Sequence, residues 1–237
     1  MSNYLPLYVA MSFLMIDGVI EVGFVGSMVG FLHDRAGRFF TINAPNGSFD
    51  LHGKPKGLLV NQGHTSNGAA GTAIVLVGFL GLLTIWYEKR RARRTQATNH
   101  SGIFVFWVVM TVLSALLTLS ALIYTFVVTA QTDDQTINLT VAAANPEPKM
   151  YPLDNWTPEN WFVAVLALPL AHASDRRDIR NNLRLMRGWR WNLIPLFILG
   201  VVVAVLAVWE LVSGRRWRQG DSKEKLRNST QSQSQSY

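Results

Sequence analysis

Four long apolar blocks, separated by polar and charged segments, constrain this chain more than any single motif. They run from about Tyr4 to Leu32, Ala69 to Tyr87, Ile103 to Ala130 and Leu193 to Val212, each long enough to cross a hydrocarbon core at 1.5 Å per helical residue. Only 16% of the residues are charged, against about 25% in a soluble domain, and the apolar residues are grouped rather than spread at core spacing. The expected fold is therefore an all-α integral membrane protein with four transmembrane helices. Its parts are a first span in residues 1–32, a first large loop in 33–68, a second span in 69–87 and a short basic loop in 88–102. A third span in 103–130, a second large loop in 131–192, a fourth span in 193–212 and a basic, disordered tail in 213–237 complete it. The loops of about 40 and about 60 residues then share one side. The first block has no basic segment before it and continues past any plausible cleavage point, so it is expected to be an uncleaved anchor.

Charge sets the expected orientation. Lys and Arg divide evenly, eleven in the two long loops and eleven in the short loop and tail, but the latter eleven lie in far fewer residues next to the spans. Density predicts a cytoplasmic Lys89–Arg94 cluster and cytoplasmic termini, in a secretory-pathway or plasma membrane rather than a mitochondrial one. On that topology the sequons at Asn46, Asn138 and Asn155 are candidate glycosylation sites in the long loops.

Within the loops, the runs around Pro45-Asn46-Gly47 suggest a small hairpin, and the alternation Thr136–Val141 suggests a strand. Thr157-Pro158-Glu159 is a helix start: a capping hydroxyl, a Pro at the first helical position and an acid in the first turn. The apolar stretch Trp161–Leu170 is too short to span. Ser174–Arg190 reads as a basic amphipathic helix along the membrane surface. Arg177, Arg180, Arg184 and Arg187 form its headgroup-facing stripe, and Ile179, Leu183 and Met186 its apolar edge.

Two features of the spans bear on chemistry. Asp17 and Glu21, four residues apart, share one face near the middle of the first helix, where an ionised carboxylate costs at least about 2.5–3.5 kcal/mol. Gly23, Gly26 and Gly30 fall on roughly the opposite face and include a GxxxG pair, while Thr111, Ser114, Thr118, Ala121 and Thr125 form a small and polar stripe on the third span. These residues are the expected helix-packing surfaces. The sequence has no Cys, its five His show no ligand spacing and no phosphate-binding loop follows a strand, so no metal, cofactor or nucleic-acid partner is expected.

Four spans with a larger second extramembrane loop resemble the tetraspanin layout and, more loosely, the four-span plan of claudins. A chain without Cys has neither the Cys-Cys-Gly signature of the first nor the Trp and Cys pair of the second, so the resemblance is one of architecture. The expected role is a non-enzymatic organiser, anchor or accessory subunit in the bilayer, contacting anionic lipid headgroups and either a second copy or another membrane protein. Two alternatives are a small membrane-embedded enzyme on an apolar, lipid- or isoprenoid-like substrate, with Asp17 or Glu21 as catalytic acid, and proton or solute transport.

Overall fold

The computed structural model describes residues 4–35, 38–45, 47–55, 57–95, 99–144 and 155–234, with side chains as far as Ser213. It is mostly helical. In chain order the elements are α1 (Leu5–Arg35), the strands β1 (Phe39–Ala44) and β2 (Gly47–His52), then α2 (Asn61–Thr72). A wider π-helical stretch, Ala73–Phe79, joins α2 to α3 (Leu80–Thr95). These are followed by α4 (Gly102–Gln131), α5 (Leu139–Ala144), α6 (Pro158–Leu166) and α7 (Ala173–Ser234).

Four helical stretches are long and apolar enough to cross a membrane: Leu5–Arg35, Asn61–Thr95, Gly102–Gln131 and Ala173–Ser213. Their surface supports that reading. Phe13, Ile16 and Val19 on α1, Phe106, Leu113 and Ile123 on α4, and Ile198, Val205 and Trp209 on α7 are exposed, whereas Thr111, Ser114, Thr118 and Thr125 are buried. Apolar residues outside and hydroxyls inside invert the pattern of a water-soluble helix and suit a hydrocarbon solvent. This is the pattern of a multi-pass integral membrane protein.

The chain divides into two compact units. One comprises residues 1–16, 71–116 and 198–237. Here Trp107 is fully buried and its indole N–H donates to the Val77 carbonyl at 3.1 Å, taking up a carbonyl of the π-helical stretch. Gly81 lets this region close: a Cβ there would lie 2.7 Å from both Met11 Sδ and Trp107 Cζ2. The short basic loop is tied back by Glu88, whose carboxylate accepts the Ser101 N–H at 3.1 Å, while the His100 ring stacks on Phe104.

The other unit, residues 17–70 and 117–197, has an aromatic core. Phe40, Trp156, Trp161 and Phe162 are fully buried, joined by Val25 and Met28 of α1 and by Ile179, Leu183 and Met186 of α7. The β1–β2 hairpin supplies one wall, pairing Phe39 with His52 through Ala44 with Gly47. Gly47 has φ 121°, a conformation that favours glycine in this tight turn. The segment around Leu170 adds to the free edge of β1: Pro169 accepts the Asn43 N–H and Thr41 accepts the Ala171 N–H, both at 2.9 Å.

Two expectations are corrected. The alternating run 136–141 is not a strand, because Asn138 Oδ1 accepts the Thr140 and Val141 N–H groups and caps α5, whose Val-Ala-Ala-Ala then continues as helix. Nor is Ser174–Arg190 a separate surface helix. It is the first part of α7, continuous with the fourth span across Pro195, and its apolar stripe lies in the aromatic core instead of on headgroups. The backbone of α7 also stays helical to Ser234, through the segment whose composition suggests disorder.

Candidate functional site

The acid pair of α1 meets α7. Gly188 makes the approach possible, since a Cβ there would already stand 3.2 Å from the Phe24 ring. One turn further along α7, Asn192 Nδ2 donates to Glu21 Oε2 at 3.1 Å. Glu21 is fully buried; its Oε1 and the Oδ2 of half-buried Asp17 are enclosed without a hydrogen-bond partner. Glu21 thus accepts from Asn192, with the Trp189 indole beside the same carboxyl, and Asp17 keeps an enclosed oxygen able to engage a proton or a donor group. Asn192, which completes it, escaped the sequence reading; the signal for it is a lone amide abutting the apolar block that starts at Leu193.

The proposed packing residues fall in two groups. Thr111, Ser114, Thr118, Ala121 and Thr125 are all buried, with Thr111 Oγ1 bonded to the Trp107 carbonyl at 2.9 Å and Ser114 Oγ 3.3 Å from Thr72 Oγ1. Gly23, Gly26 and Gly30 are exposed, and a Cβ at each would meet nothing within 4 Å. Ser27 is exposed on the same side. Among the described residues, therefore, nothing covers the glycine face of α1.

A second polar centre forms around α6, which lies outside the four long apolar stretches, and draws side chains from α4 and α7. Thr157 caps α6 as its sequence implies: its hydroxyl accepts the Asn160 N–H, with Pro158 beginning the helix. That start buries Glu159 and Asn160. The Asn160 amide donates to the Thr129 carbonyl at 2.8 Å and Thr132 Oγ1 at 2.7 Å. Glu159 Oε1 lies 3.1 Å from Arg190 Nη2 and 3.4 Å from Arg187 Nε. Burial pushes the Glu159 carboxyl above the ordinary range, and the charges of Arg190 and Arg187 only partly counter it. These groups line a groove of about 450 Å³ together with Asp133, Phe126 and Trp191.

Arg177, Arg180 and Arg184 are exposed, so of the expected headgroup stripe only Arg187 reaches this groove. The sequence marks Glu159 only as the first-turn acid of a helix start and Arg190 only as the end of a basic segment, not as partners in one site. Their link is a contact between α6 and α7 that no local pattern encodes. Asn138 and Asn155 are exposed, and Asn46 lies outside the described residues. Among the described residues no group of three His, Asp or Glu side chains converges as a metal site would require.

No protein-family model, no curated protein and no solved structure matches this chain.

Proposed function

We propose that the protein is a non-enzymatic organiser or accessory subunit of the bilayer, which docks another membrane helix against the glycine face of α1. The observation that carries this reading is the bare surface at Gly23, Gly26 and Gly30, on a helix whose Glu21 on the opposite side is hydrogen-bonded to Asn192. In lipid, small residues let two backbones approach closely and gain dispersion contacts that lipid tails do not supply. The docked helix belongs to a second copy or to another membrane protein.

The termini and Lys89–Arg94 face the cytoplasm in this account, the large loops the opposite side, where Asn138 or Asn155 carries glycan. Exposed Arg177, Arg180 and Arg184 face anionic headgroups. Replacing Gly26 by Leu tests the docking: chemical cross-linking in native membranes should lose the wild-type adduct, while the thermal midpoint of the purified chain does not fall. An unchanged cross-linking pattern would count against the reading.

The enzyme alternative rests on a different observation, the enclosed and incompletely hydrogen-bonded carboxyls of Asp17 and Glu21 among the described residues. It requires that Asp17→Asn with Glu21→Gln abolish biological activity in a chain that still folds. The docking reading requires that activity survive.

A further inference from the structure

The groove beside α6 holds two cations and two acids in an uneven arrangement. Arg190 is largely buried, presents Nη2 to Glu159 and lies over the rings of Phe126 and Trp191 at 5.3 and 5.8 Å. Arg187 directs Nε at the same carboxylate, yet its side chain is 55% exposed, which leaves the rest of its guanidinium facing the groove mouth. Glu159, with its side chain 7% exposed, fixes both arginines from below. Asp133 lines the same groove, is exposed and has no ion-pair partner among the described residues. The four groups sum to no formal charge, so a purely anionic ligand that gains from Arg187 is opposed by Asp133.

Depth and chemistry narrow the occupant further. Phe126 and Thr129 belong to the end of α4, and Trp191 immediately precedes the apolar run of α7, positions at which spanning helices pass the headgroup layer. Arg190 lies over one face of each aromatic ring and Trp191 is otherwise exposed, so the rings form an open surface and not an enclosing cage for a quaternary ammonium. A primary ammonium, with N–H groups to donate to the Asp133 carboxylate, is the complementary cation.

We propose that this groove binds the headgroup of a zwitterionic phospholipid bearing a primary amine, its phosphate on Arg187 and its ammonium on Asp133. The inference is independent of the helix-docking reading, since it uses neither the glycine face nor the acids of α1.

The test reconstitutes the full chain in vesicles of equal parts phosphatidylethanolamine, phosphatidylcholine and phosphatidylglycerol, extracts it in mild detergent and counts the retained lipids by native mass spectrometry. Phosphatidylethanolamine should be retained over each of the others by roughly two- to fivefold, the range that one exposed ion pair supplies. Asp133→Asn should bring that ratio to about one. Arg187→Gln should lower retention of all three lipids. Both substitutions are at exposed side chains, and a thermal midpoint equal to wild type verifies the fold. Phosphatidylglycerol retained as well as phosphatidylethanolamine, or an Asp133→Asn chain with an unchanged ratio, would overturn the proposal. Soluble phosphoethanolamine at millimolar concentration should leave the retained lipid in place; displacement would mean that the site serves a dissolved ligand and not a membrane one.

Discussion

Alanine at Gly81 and alanine at Gly26 are chemically identical changes with opposite structural consequences. Both glycines lie inside long helices, so each substitution gains the same intrinsic helix preference, about 0.8–1 kcal/mol. At Gly26 the added methyl meets nothing within 4 Å, whereas at Gly81 it lands 2.7 Å from Met11 Sδ and 2.7 Å from the Trp107 ring. Met11 can adjust its thioether, but Trp107 is fully buried and held by its hydrogen bond to Val77. The helix-preference contribution cancels between the two variants, so their difference isolates the overpacking cost, about 1–3 kcal/mol. At about 2–4 °C per kcal/mol for a chain of this size, Gly81→Ala should unfold roughly 2–12 °C below Gly26→Ala. Thermal unfolding of the monomer in detergent, followed by tryptophan fluorescence, measures it. Midpoints within a degree of one another would refute the close approach of α1, α3 and α4 at this glycine.

Glu159 gives a pH signature. Because burial raises its carboxyl in the folded chain, ionising it costs more folded than unfolded; the associated stability is fully present below the unfolded carboxyl value and is lost as pH rises through the folded one. The melting midpoint of wild type relative to Glu159→Gln should therefore fall between pH 4 and pH 8, and a rise would contradict the sign. Thr157→Ala removes the cap of α6 and should cost about 1 kcal/mol in thermal or denaturant unfolding, with Thr157→Ser retaining most of it. Asn192→Ala takes the donor from buried Glu21 and should destabilise by about 1–3 kcal/mol, an effect that Glu21→Leu in the same chain should largely remove. If the two changes are instead additive in a double-mutant cycle, the hydrogen bond is not what links α1 to α7.

Spans and caps were legible because they are local. A run such as Ile103–Ala130 carries its own length and polarity, and Thr157-Pro158-Glu159 carries its own capping chemistry, so the sequence suffices for both. The 136–141 segment misled because a period-two pattern over six residues competes with one Asn whose side chain nucleates a helix turn. Ser174–Arg190 misled for a related reason. Its amphipathic pattern is real, but periodicity does not say whether Ile179 and Met186 meet lipid or the buried rings of Trp161 and Phe162.

The site residues divide along the same line. Asp17 and Glu21 stand out because carboxylates are costly in an apolar run. Asn192 does not, since one amide at the edge of a span is unremarkable until α7 is laid against α1. Likewise Glu159 and Arg190 are separated by thirty-one positions and become a pair only when α6 packs on α7.

The docking claim is tested most directly by a photoreactive diazirine side chain at Ser27, which shares the exposed side of α1 with Gly23, Gly26 and Gly30. Irradiated in intact native membranes, it should give a discrete protein adduct, a dimer or a complex with one partner, and the adduct should disappear when Gly26 is replaced by Leu. Adducts to lipid alone, in wild type and variant alike, would contradict the account.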